Sequence, residues 1–156
     1  MRDGGTYALV IVVEVGLRLR IGRLGFHSLP LGYYIYIGSA LGGLPGRLRH
    51  HLRSEKRLHW HIDYLLRQAV VAQIWYALGR DRLECTWNAI LANLPRATSF
   101  IPGFGTSDCR CSTHLTYFPT LPPFDLFNQK LRQSNLPQVH RLNKMNICDI
   151  NRDNKI

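Results

Sequence analysis

A chain of 156 residues suits one domain with a core of its own and is short for two. Its 20 Lys and Arg stand against 10 Asp and Glu, a formal charge of +10. Sixteen of those cations are arginine, whose planar fork grips phosphate at two points, so a polyanionic partner, nucleic acid first, is expected. The most apolar run, residues 7–13, is too short to span a bilayer and has no leader-type cleavage pattern. The chain therefore reads as cytoplasmic, with no membrane partner, and its four cysteines as reduced thiols rather than a disulfide framework.

Taken in chain order, "TYALVIVVEV" is rich in β-branched residues and predicts a strand buried on both faces. "LRLRI" (17–21) alternates apolar and charged residues, which predicts a half-exposed strand after a turn at Gly16. "GRLGFHSLPLG" reads as a loop, and "YYIYIG" as a third strand ending at Gly38. A helix then opens with Pro45, tolerated in the first turn where the amide lacks a partner. Its apolar stripe is Leu44, Leu48 and Leu52, with Arg47 and His51 one turn apart along its edge.

"WHIDYLLRQ" predicts a second helix and "AVVAQIWYAL" another strand. "DRLECTWNAILANL" predicts a third helix, with Asp81 as N-cap and Leu83, Trp87, Ile90 and Leu94 turned inward. A long loop, "IPGFGTSDCRCS", leads to a last short strand at "HLTYF". From Pro119 the composition changes: four prolines, six asparagines after residue 127 and no sustained period. This predicts a domain over 1–118 and a basic, weakly ordered tail over 119–156, with one weak helix near 127–132.

Glutamates are scarce: Glu14, Glu55 and Glu84 are all there are. Glu14 ends the first strand and Glu55 lies among the cations of "RSEKR", the expected places of solvated charges. Glu84 falls roughly 60 to 80° from the centre of its helix's apolar stripe, at the rim of the core. It is the acid best placed to act as a metal ligand or simply as a boundary residue.

Gly5, Thr6 and Tyr7, then Tyr36, Ile37 and Gly38, then Arg47 and His51 on the next helix, then Glu84 on a later one, resemble the GIY-YIG nuclease superfamily in order and type. "YIGSA" followed by "RLRHHLR" carries most of the likeness, which covers residues 4–118. "HWHIDYLL" and "GFGTSDCRCSTHL" are similar to a prokaryotic branch of that superfamily, some members of which are fused to a DNA glycosylase of the endonuclease III type.

The resemblance implies an α+β fold in which a small antiparallel sheet of three strands is flanked by helices, with an extra strand inserted after the first. It implies a DNA endonuclease acting in repair or processing, on branched or damaged DNA, in association with a glycosylase. Glu84 would hold one Mg²⁺ or Mn²⁺, Tyr7 and Tyr36 would surround the attacking water, Arg47 would contact the scissile phosphate and His51 would assist proton transfer. Arg49, Arg53, Lys56 and Arg57 would bind the nucleic-acid backbone. The sequence departs from the pattern in reading "GTY" for the first motif, in the wide spacing of Tyr7 and Tyr36, 29 residues apart, and in having Ala97 near the place of a late asparagine. The same pocket serves a second function class, a module that binds nucleic acid without cutting it. No GxxxxGK phosphate loop supports a third.

Two further constellations stand out. "HWHID" resembles the H-x-H-x-D of dinuclear hydrolases, but Tyr64 stands where that motif wants a histidine, so His61 and Asp63 are expected to serve a helix start. Cys109 and Cys111, with His114, His59 and His61, offer zinc ligands. Their C-x-C spacing is tighter than zinc sites usually show, and zinc is not expected.

Overall fold

The computed structural model describes residues 3–143. In chain order its elements are strands β1 (Gly5–Val13), β2 (Leu17–Arg20), β3 (Phe26–Leu29) and β4 (Gly32–Ala40), helices α1 (Leu44–Leu52) and α2 (His61–Leu66), strand β5 (Val70–Leu78), helix α3 (Glu84–Ala92), strands β6 (Thr98–Ser99) and β7 (Leu115–Phe118), helix α4 (Phe124–Gln133) and strand β8 (His140–Leu142). The fold is α+β.

β1 is the inner strand. It pairs antiparallel with β4 on one side and β5 on the other, and the sheet runs β6-β7-β4-β1-β5-β8, antiparallel throughout. The uninterrupted apolar run of β1 follows from cover on both faces. Tyr7, Leu9, Ile11 and Val13 pack toward Leu44 and Leu48 of α1 and Ile62 and Leu65 of α2. Ala8 and Val10 join Trp87 and Leu91 of α3 and Phe127 and Leu131 of α4 on the other face. The main sheet thus has six strands, where the resemblance implies three and an inserted fourth.

The strand expected at residues 17–21 is present, but it does not enter the main sheet. It pairs with β3, in the segment expected to be loop, as a separate two-stranded hairpin. Leu19, Ile21 and Leu29 drive this: they are buried in the same core as α2, while Phe26 stays outside. The apolar positions of "GRLGFHSLPLG" are too sparse to show a period of two by themselves.

α3 starts at Glu84 with Leu83 as N-cap, not Asp81, which is exposed. No side chain of the helix itself caps it. Instead the Leu83 amide donates to Thr6 Oγ1 on β1 (3.3 Å), a tertiary cap that local sequence cannot announce. Its buried residues are Trp87 and Leu91, with Leu94 buried just beyond its end, so the stripe is rotated slightly from the predicted one, with Leu83 and Ile90 half-buried.

The stretch expected as an appended tail contributes α4 and β8. Phe127 and Leu131 are fully buried. Phe127 stacks on Trp75 and meets the edge of Trp87, each at 5.4 Å between ring centres. β8 pairs with β5, and residues 144–156 of the predicted tail lie outside the described residues. Among the described residues no helix is long and apolar enough to cross a membrane.

Candidate functional site

The antiparallel register of β1 and β4 sets Tyr7 opposite Gly38. A Cβ at position 38 would lie 2.6 Å from the Tyr7 hydroxyl, so only glycine lets the phenol ring cross over β4. The hydroxyl reaches His51 Nε2 at 2.7 Å. His51 sits one turn after Arg47 on α1, the spacing that puts both on one side of the helix. Gly38→Ala is therefore expected to destabilise the fold by about 1–3 kcal/mol, as overpacking does. Gly42→Ala, whose new methyl meets nothing within 4 Å, serves as the control. Paired thermal melts check this, and equal melting temperatures would refute the close approach.

Tyr36 lies 6.3 Å from Tyr7 and 6.2 Å from His51, ring centre to ring centre. It forms the floor of a cleft of about 410 Å³ whose walls include Arg47, Trp60, Arg82, Glu84 and Asp108. Arg47 reaches over this floor: its Nη1 donates to the Ser39 carbonyl (3.2 Å) and its guanidinium sits 4.6 Å from the Trp60 ring centre. Glu84, brought to the cleft by the start of α3, pairs with Arg82 at 3.3 Å. Tyr7, Tyr36, Arg47, His51 and Glu84 are thus brought together, with Tyr7 and His51 buried behind Tyr36 rather than on the cleft surface.

Burial controls the protonation of this group. It raises Tyr7 well above the ordinary phenol value, an effect that Tyr36 adds to and Arg47 opposes. Burial likewise pushes Tyr36 up to about 12 against the pull of Arg47. His51 falls to about 3, mainly through burial and secondarily through the nearby Lys56, His50 and Arg47. The resting site therefore holds two neutral phenols and a neutral imidazole.

Because the unfolded chain binds a proton at His51 that the folded chain refuses, stability present above about pH 6.5 should fall as pH drops toward 3. Urea midpoints at pH 7 and pH 4.5 should decline more steeply for the wild type than for His51→Gln. Parallel declines would show that His51 does not carry the effect.

The cations expected to bind nucleic acid differ in exposure and in partners. Arg53 and Arg57 are exposed and Arg49 is half-buried. Lys56 is spent otherwise: its Nζ donates to the His51 carbonyl (2.6 Å) and the His50 carbonyl (3.4 Å), closing the C-terminal end of α1. Arg82, Ser39, Trp60 and Asp108 are cleft residues that sequence reasoning missed, and only for Arg82 was there a signal, two places before Glu84.

The histidines of "HWHID" serve structure at the cleft rim. Asp63 Oδ2 accepts the amides of His59 (2.9 Å) and Trp60 (2.8 Å), the N-terminal cap that a buried helix start requires. His61 Nδ1 accepts the Gly105 amide (3.0 Å), tying α2 to the loop at residues 100–114.

The cysteines correct the expectation of one Mg²⁺ or Mn²⁺ and no zinc. Cys85, Cys109, Cys111 and His114 bring one donor atom each to within 4.8 Å of one another, the three-sulfur, one-nitrogen set that suits zinc. His59 and His61, expected beside Cys109 and Cys111, are not part of it. Cys85 was missed because it lies 24 residues from Cys109 in sequence, and only the packing of α3 against the loop joins them. None of the three thiols is in a disulfide.

The model of one family, described as domain of unknown function DUF123, matches residues 6–135. The chain belongs to that family. The matched region includes every cleft residue named above and α4, so the DUF123 domain extends past Phe118. No curated protein and no solved structure matches it.

Proposed function

We propose that the cleft binds a nucleic-acid phosphate and hydrolyses a phosphodiester bond of DNA, in the manner of the GIY-YIG nucleases that its motifs resemble. The observation that carries this reading is convergence: Tyr36, Arg47 and Glu84, far apart in sequence, line one cleft, with the Tyr7–His51 pair directly behind it. Arg47, anchored by Ser39 and Trp60, presents fixed positive charge to an incoming phosphate and to the further negative charge that develops as it is attacked. Glu84 places a carboxylate on the wall of the same cleft, where it can accept a hydrogen bond from the attacking water.

The phenols act as hydrogen-bonding relays rather than as phenolate bases. A phosphate in the cleft adds negative charge near His51. This works against the burial and the positive neighbours that depress it, and favours the imidazole taking a proton through Tyr7. Arg49, Arg53 and Arg57 would hold the flanking backbone, which makes binding salt-sensitive through counterion release. We place the activity in the cytoplasm, where thiols stay reduced.

A second reading, binding without cutting, is favoured by one observation: in the resting site Glu84 is already paired with Arg82. Incubating the protein with branched, flapped, abasic and single-stranded DNA, and with RNA of matching sequence, separates the two. Cleavage that falls tenfold or more in both Arg47→Ala and Tyr36→Phe, about 1.4 kcal/mol of transition-state contact each, is expected. Salt-dependent binding with no cleavage of any substrate would leave the binding module.

A further inference from the structure

We propose that Cys85, Cys109, Cys111 and His114 bind one structural Zn²⁺ that clamps the loop at residues 100–114 to the start of α3. The donors come from two segments: Cys85 from the first turn of α3, the other three from a C-x-C-x-x-H run ending at β7. His114 Nε2 stands 3.3 Å from Cys109 Sγ and 3.9 Å from Cys85 Sγ. A tetrahedral ion with Zn–S near 2.3 Å and Zn–N near 2.0 Å sets its ligand atoms about 3.5–3.8 Å apart, so these separations need only small side-chain adjustment.

The backbone around the donors is already held. The His114 amide donates to the Phe104 carbonyl (2.8 Å) and the Gly103 amide to the Ser112 carbonyl (2.7 Å), closing the loop on itself. Asn88 Nδ2, one turn beyond Glu84 on α3, donates to the Thr113 carbonyl (2.8 Å), beside His114. The donors are therefore gathered by contacts that do not depend on the ion.

All four coordination positions come from the protein, the mark of a closed structural site rather than of one that activates water. Binding converts three thiols to thiolates, releases three protons and leaves the imidazole neutral, so ligands and metal together carry a charge of −1. Cys85 directly follows Glu84, and Cys109 and His114 themselves line the cleft. The ion would thus fix the cleft wall that carries Glu84 without itself being the reactive centre.

The test uses the full chain, purified under reducing conditions without chelator, and needs no nucleic acid, so it stands or falls separately from the cleavage reading. Elemental analysis should find one zinc per chain. Stripping it should lower the melting temperature by about 5 °C or more, with recovery on one equivalent of Zn²⁺. Cys85→Ser, Cys111→Ser and His114→Ala should lose the metal, while His59→Ala and His61→Ala should keep it. Should the ligand variants fail to fold, Co²⁺ titration of the stripped wild type decides. Sulfur-to-cobalt charge-transfer absorption of tetrahedral type, saturating at one equivalent, supports the site. Zinc below about one-fifth of an equivalent with no thermal response to added Zn²⁺, retention of full zinc by Cys85→Ser, or a disulfide among these cysteines in the reduced preparation would overturn it.

Discussion

Replacing Phe127 by alanine should lower stability by about 3–5 kcal/mol, the usual cost of emptying a buried aromatic site. Phe127 is fully enclosed, stacked on Trp75 of β5 and set edge-on against Trp87 of α3. Truncation therefore leaves two tryptophans facing a void that the sheet and helix cannot collapse to fill. For a chain of this size the loss reads as a fall in melting temperature of at least about 8 °C. Leu121→Ala, on a residue more than half exposed just before the same helix, should change it by about 1 °C or less. Equal, small shifts for both would return residues 119–142 to the status of an appendage. The same argument predicts that a chain ended after Phe118 loses its cooperative melt, since α4 shares with α3 the cover of one face of the sheet and β8 pairs along one of its edges.

Glu84→Gln should reduce DNA cleavage by about 100-fold or more, on the order of 2.7 kcal/mol of transition-state stabilisation, with DNA affinity changed little. The substitution keeps size and hydrogen-bonding capacity and removes only the negative charge at the cleft wall. The Arg82 pair it breaks is partly solvent-exposed and contributes little to folding, so the melting temperature should stay near that of the wild type. Single-turnover cleavage and equilibrium binding on one DNA substrate measure both quantities. Cleavage at the wild-type rate by a folded Glu84→Gln protein would remove Glu84 from the mechanism, and a proportionate loss of binding and cleavage would make it a binding residue only.

Much of the scaffold was legible because its signals are local. The β-branched run of β1, the tyrosine-rich run of β4, the Pro45-initiated α1 and the apolar β5 each carry their period within about ten residues, and the structure places all four where the sequence did. Tyr7, Tyr36, Arg47, His51 and Glu84 could be singled out because their order and type resemble the GIY-YIG pattern, even without knowledge of what they touch.

Tertiary structure alone decided the rest. Whether β2 entered the main sheet or made its own hairpin depended on Leu19, Ile21 and Leu29 finding a common core beside α2. The weak helix expected near residues 127–132 became part of the core because Trp75 and Trp87, remote in sequence, pack against Phe127. The protonation of the tyrosines and His51 follows from burial, which no residue type announces. The metal-ligand set needed Cys85, 24 residues from Cys109, to be carried by α3 to the loop beside His114. By itself the sequence determined which residues have the chemistry for phosphate and metal, since that is a property of side chains. Which of them meet was decided by packing, since long-range contacts depend on buried surfaces that leave no periodic trace between distant segments.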